Sequence, residues 1–236
     1  SGCTSLKSIP SDLFASFTTG AESMFASTFS VTGITSIPSD LFKKFTVGFS
    51  SMFSATFMNC SGLTSIPSGL FASFTTGANG MFANTFRGCS NLTTIPGNLW
   101  PNITQGYLSL FEYTFAYCSS LETIPSNLFA NITTGAEKLF NNTFHYCTSL
   151  TSIPVGLFKN FTTGFKSMFN GTFYHCESLT SLPPDLFANI TSGAEGMFRL
   201  TFYYATSLTG YIPPSLFAGL IENNATYETD MMEQMF

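Results

Sequence analysis

The string SLTSIP, or a near copy, recurs along the whole chain, with its proline at Pro10, Pro38, Pro67, Pro96, Pro125, Pro154, Pro183 and Pro213. The successive gaps are 28, 29, 29, 29, 29, 29 and 30 residues. A fixed period in the range of roughly 20–50 residues marks a stacked architecture in which each repeat touches only its neighbours. The expected fold is therefore a repeat solenoid of about eight coils over residues 1–221, with a C-terminal tail, 222–236, that breaks the repeat.

The repeats can be compared with one another, taking the proline as position zero. Leu stands at plus three in every copy, from Leu13 to Leu216, and an aromatic at plus four, from Phe14 through Trp100 to Phe217. Gly holds plus ten from Gly20 to Gly193, and Phe holds plus fifteen and plus nineteen over the same copies, as in Phe82 and Phe86. Equivalent residues of adjacent coils stack, so columns that stay apolar point inward. The glycine column suggests a turn of positive φ, and the proline a corner that closes the strand before it. LTSI is expected as a short strand, and the LF and TF segments as tight, 3₁₀-like or helical turns; GAxxMFxxTF also fits a helical period. A half-repeat lays Leu63 over Ala78, Ile66 over Met81 and Phe71 over Phe86.

A second pattern has twice the period. Plus eleven reads Ala21, Phe49, Ala78, Tyr107, Ala136, Phe165, Ala194. Small and large alternate, which lets each ring lie over a small neighbour in a stack spaced about 5 Å per layer. The other reading is a two-coil unit with alternating surface grooves.

Phe makes up 28 of the 236 residues, enough for a continuous core without disulfide or metal, while charged residues are only 9%. Net charge is −5, with Glu222, Glu228, Asp230 and Glu233 gathered in the tail. No basic patch points to nucleic acid, and no apolar run approaches the ~18 residues a membrane span requires. The six cysteines share one column with Val31 and Ala205, substitutes that fit free, buried thiols acting as small hydrophobes.

TFAYCSSLETIP and TFHYCTSLTSIP resemble the bacterial-surface leucine-rich repeat proteins of the BspA type, which pair a Phe-x-x-Cys corner with a Leu-x-x-Ile strand. The resemblance spans about residues 1–217 and implies a right-handed solenoid with short parallel strands, on a cell surface or secreted, with binding or adhesive roles and no catalytic residues. The repeat here is longer, with the extra residues around FTTG.

No phosphate-loop, dinucleotide or nucleophile-elbow pattern occurs, so the chain reads as a non-enzyme without cofactor. HYC at His145 and YHC at Tyr174 invite a zinc reading, but the spacing matches no standard zinc module. The informative deviation is a stripe. All nine tyrosines lie at or beyond Tyr107. The two positions before the cysteine column hold Met58-Asn59 and Arg87-Gly88 in early copies, then Ala116-Tyr117, His145-Tyr146, Tyr174-His175 and Tyr203-Tyr204. Stacking would bring Tyr117, His145, Tyr146, Tyr174, His175, Tyr203 and Tyr204 into one ridge. It is either a packed corner or a contact surface for a protein or glycan.

Asn102, Asn131, Asn160 and Asn189 form a column of glycosylation sequons, joined by Asn91 elsewhere; they would carry glycans in a eukaryotic secretory protein and read as polar corners in a bacterial one. In the tail, Tyr227, Met231 and Met235 fall at helical spacing and suggest a short helix that either caps the last coil or docks a partner. Three functions compete: a binding module, a head-to-tail fibre built through exposed coil ends, and a lattice binder using threonine rows at plus eight and plus eighteen.

Overall fold

The computed structural model describes residues 2–223 and 228–236. The chain winds into stacked coils, and backbone hydrogen bonds join residues 28 or 29 positions apart along it. One side of each coil is a ribbon of overlapping four-residue turns. Ser51, Phe53, Ala55, Phe57 and Asn59 donate their N–H groups to the carbonyls of Asn79, Met81, Ala83, Thr85 and Arg87 in the next coil, at 2.7–2.9 Å. The intervening Met52, Ser54, Thr56 and Met58 donate to the carbonyl three residues back, at 3.0–3.1 Å. Alternate residues thus bond across and along the coil, and the ribbon leaves no interior donor or acceptor orphaned.

The ribbon requires every fourth residue to adopt left-handed backbone. Ser51, Ala55 and Asn59 have φ of 53°, 55° and 59°, and Ser109, Tyr113 and Tyr117 have 55°, 54° and 61°. A non-glycine residue pays roughly 1–2 kcal/mol for this, which the bond to the next coil offsets. The plus-ten glycines are different. None has positive φ among those described. They permit close approach: a Cβ on Gly20 would stand 2.8 Å from Met52 Cε, on Gly77 2.8 Å from the Tyr107 ring, and on Gly135 2.7 Å from the Phe165 ring. The positive-φ expectation therefore fails at plus ten; left-handed backbone occurs instead at plus thirteen, seventeen and twenty-one, which the sequence did not mark.

The core consists of parallel ring columns. The plus-nineteen column runs Phe29, Phe57, Phe86, Phe115, Phe144, Phe173, Phe202, each ring stacked on the next at 5.5–5.8 Å. The plus-four column stacks likewise, with Phe42 on Phe71 at 6.0 Å and Trp100 on Phe129 at 5.9 Å. Two polar spines run beside them. Thr85, Thr114, Thr143 and Thr172 are fully buried, and each hydroxyl donates to a phenylalanine carbonyl of the preceding coil at 2.8–2.9 Å. Cys89, Cys118, Cys147 and Cys176 do the same with Sγ at 3.2–3.3 Å. All six cysteines are free, and only Cys3, in the first coil, is exposed. Burial pushes the Cys118 and Cys176 thiols up to about 12, so both stay protonated and unreactive. The plus-eighteen threonine row is this buried spine, which removes it as a lattice-binding surface.

The strands expected at LTSI do not form as ladders. There the coils share single, long bonds, such as Thr93 N–H to Thr64 O at 3.2 Å and Thr151 N–H to Glu122 O at 3.4 Å. The proline closing each segment has no N–H with which to extend the pairing. Among the described residues the only parallel bridges, Val47 with Thr76 and Thr163 with Ser192, lie in the FTTG stretch. Among the described residues the only helix is α1, Ala218–Glu222, so the 3₁₀ or helical turns expected elsewhere are overlapping turns instead.

The FTTG side alternates. Thr75, Thr133 and Thr191 donate N–H to Thr46, Thr104 and Thr162 of the preceding coil at 2.8–3.0 Å, and Gly48, Gly106 and Gly164 donate to Thr76, Thr134 and Ser192 of the next at 3.1 Å. The seams between Phe17 and Thr46, Thr75 and Thr104, and Thr133 and Thr162 carry no backbone bond. These are the seams where the Phe49, Tyr107 and Phe165 rings lie against Gly20, Gly77 and Gly135. The doubled period is thus a packing device, and it leaves every second seam without a backbone bond. The sequon asparagines bridge coils as well: Asn102, Asn131, Asn160 and Asn189 each donate Nδ2–H to a carbonyl of the coil before at 2.7 Å.

The tail extends the turn ribbon. Gly196, Phe198, Leu200 and Phe202 donate to the carbonyls of Thr229, Met231, Glu233 and Met235 at 2.7–3.1 Å. Met231 and Met235 are buried, Phe236 stacks on Phe202 at 5.6 Å, and Arg199 pairs with Glu233 at 2.6 Å. The segment is built of turns; Tyr227, the third member of its expected apolar stripe, lies outside the described residues.

Candidate functional site

The cysteine corner ends each ribbon and aims the residues before it. Cys147 turns its Sγ inward to Phe115 O, whereas Tyr146, at φ 58°, turns outward. Repeating that corner in four coils produces an outer column: Tyr117 on Tyr146 at 5.0 Å and 13°, Tyr146 on His175 at 4.2 Å and 14°, His175 on Tyr204 at 4.3 Å and 19°. All four have φ between 56° and 62°. Beside it runs an inner column, His145 on Tyr174 at 4.6 Å and Tyr174 on Tyr203 at 5.9 Å. The structure therefore brings all seven expected side chains together in one ridge.

Two further residues belong to it. Arg87 sets its guanidinium 5.2 Å from the Tyr117 ring and 5.4 Å from the Tyr113 ring, closing the near end of the stack. Tyr113 also meets His145 edge-on at 5.9 Å. Tyr113 stands four residues before Tyr117, the spacing of successive left-handed positions in the ribbon, a signal visible only once the ribbon is known.

The electrostatics are mild. His145 is half-buried, its Nε2 lies 3.4 Å from the Tyr117 hydroxyl, and its Nδ1 has no partner among the described residues. Burial, with His175 and Arg87 adding positive charge, holds its pKa down to about 4, so it is neutral at pH 7. His175 Nδ1 stands 3.0 Å from Glu177. Burial first, then the neighbouring phenols, raises Tyr174. Among the described residues no three His, Cys, Asp or Glu side chains converge as a metal site. Cys147 and Cys176 face the core while the histidines lie in the ridge, which separates the halves of HYC and YHC. No helix is long and apolar enough to cross a membrane among the described residues.

Stacking determines what the ridge can offer. Within the outer column the ring faces cover one another, leaving ring edges, hydroxyls and imidazole nitrogens for a partner. Tyr117 and Tyr204 are the most exposed members, at 38% and 49%.

No protein-family model matches the chain, and no curated protein matches it. Solved structures similar to it include a leucine-rich repeat protein of T. pallidum, at 16% identity over 89% of this chain and 79% of that one, with a TM-score of 0.42. A leucine-rich repeat protein of Bacteroides ovatus is similar at 18% identity over 82% and 63%, with a TM-score of 0.21. The Toll–Spätzle complex of Drosophila matches at 18% over 69% of this chain but 22% of its own, with a TM-score of 0.30. The solenoid assignment rests on the stacking described above, not on these scores.

Proposed function

We propose that the chain is a non-enzymatic binding module, of the BspA type and right-handed over about eight coils, exposed on a cell surface or secreted, with the aromatic ridge as its contact. The observation that carries this reading is the outer column itself. Four coils in register place an aromatic or imidazole ring at one outward, left-handed position, exposed at Tyr117 and Tyr204 and half-buried at Tyr146 and His175, where Val31, Asn59 and Gly88 of earlier coils need none. A corner required only for packing would not call for rings in four coils and none in three. Since the ring faces are occupied, edges and hydroxyls suit a protein partner better than a glycan lying across the rings. The test compares the native chain with a Tyr146→Ser, His175→Ser, Tyr204→Ser variant on arrays of cell-surface and matrix proteins and glycans. Loss of a specific signal without a comparable loss of thermal stability supports the reading; an unchanged signal, or no target for the native chain, refutes it.

A second reading for this chain, end-to-end association, has its own observation. The ribbon is polar: its across-coil N–H groups all point toward the following coil. The carbonyls of Met24, Ala26, Thr28 and Ser30 receive no donor, and the N–H groups of Asp230, Met232, Gln234 and Phe236 find no acceptor among the described residues. A second copy supplies the complement to each row. Sedimentation velocity over a concentration series would detect it, and a constant monomer would reject it.

A further inference from the structure

We propose that the open seam between Thr75–Gly77 and Thr104–Tyr107 is a binding slot for one neutral sugar ring. This site is separate from the ridge and does not depend on the function proposed for it. The seam forms a cleft of about 150 Å³ lined by Thr75, Thr76, Gly77, Thr104, Gln105 and Tyr107. In the bonded seams on either side, the equivalent backbone groups pair with each other. Here the N–H groups of Gly77 and Thr104 and the carbonyls of Thr75 and Gln105 have no partner among the described residues, and neither do the hydroxyls of Thr104 and Tyr107. Gly77 lines the cleft and is buried against the Tyr107 ring, so its N–H is an orphaned donor there.

The chemistry of the walls selects the ligand. Two fixed donors and two fixed acceptors, with hydroxyls and an amide around them, match groups that both donate and accept, which is what sugar hydroxyls do. The cleft is well below the ~300 Å³ at which drug-sized ligands begin to fit, so it takes one ring, such as the terminal residue of a glycan. No charged residue lines it, which disfavours phosphates, sulfated sugars and sialic acid. The two other open seams carry phenylalanine in place of Tyr107, Phe49 and Phe165, and lack its hydroxyl.

Saturation-transfer NMR on the full chain, with methyl glycosides of neutral hexoses and N-acetylhexosamines and a methyl sialoside alongside, tests this. The matched variant is Gln105→Thr with Tyr107→Phe, which gives this seam the residues of the Thr163–Phe165 seam and so is compatible with the fold. At least one neutral glycoside should receive saturation and shift the amide signals of Gly77 and Thr104. The variant should bind it roughly fivefold or more weakly, the worth of about one hydrogen bond. No transfer to any neutral glycoside, equal transfer to the sialoside, or equal binding by the variant would each overturn the proposal.

Discussion

The two sides of each coil solve the same stacking problem differently. The turn ribbon bonds to its neighbour in every coil, while the FTTG side bonds at alternate seams and wedges a ring into the others. The ribbon can repeat without change because it spends left-handed backbone to aim its N–H groups across the coil. The FTTG side keeps ordinary backbone and pairs only where the facing residue is small. Uniform bonding therefore belongs to the side that accepts conformational cost, and the sparing side is left with unbonded seams.

The largest expected effect lies in the core both sides share. Phe144→Ala opens a cavity in the plus-nineteen stack and should cost about 3–5 kcal/mol in urea unfolding. Next come the glycines. Gly48→Ala drives a Cβ into the Met81 sulfur and the Thr76 carbonyl at 2.5 Å across a bonded seam, and should cost about 1–3 kcal/mol. Gly77→Ala meets the Tyr107 ring instead, so adding Tyr107→Ala should recover most of its loss. A double-mutant cycle without coupling would mean that the ring does not wedge the seam.

Thr143→Val leaves the buried spine without its bond to Phe111 O and should cost about 1 kcal/mol. Thr133→Val, on the exposed side, should cost less than half as much. Tyr146→Ala should cost far less than Phe144→Ala, since its ring is half-exposed and its backbone bond to Tyr174 O remains. Equal losses would make the ridge part of the core.

The smallest effect is a pH dependence. His145 has a folded pKa of about 4 against 6.5 for a free imidazole. Between those values the unfolded chain binds a proton that the folded chain does not, so stability falls as pH drops through that window. His145→Gln should remove this part of the acid sensitivity in melting curves, leaving the carboxylate contribution. An identical pH profile would place His145 in water.

Much of this was written in the columns of the sequence. Leucine, phenylalanine and cysteine at fixed offsets announced the inward faces, and the register of Tyr117 to Tyr204 announced the ridge. The ribbon was not readable, because its left-handed positions hold Ser, Asn and Tyr far more often than Gly, and side-chain type does not record which way an N–H points. The plus-ten glycines misled for the same reason: glycine there answers a neighbour's bulk rather than its own φ. Tyr113 was missed because its link to the ridge runs through the four-residue spacing of the ribbon, and Arg87, though it stands in the column of His145, was passed over because it carries no ring.

Amide hydrogen exchange resolved by residue tests the central claim most directly. If the two sides differ as described, the N–H groups of Thr75, Thr133 and Thr191 are protected alongside Phe53, Phe57, Phe111 and Phe115, while those of Thr46, Thr104 and Thr162 exchange quickly. Equal protection, or equal exposure, of the two threonine sets would contradict the alternation.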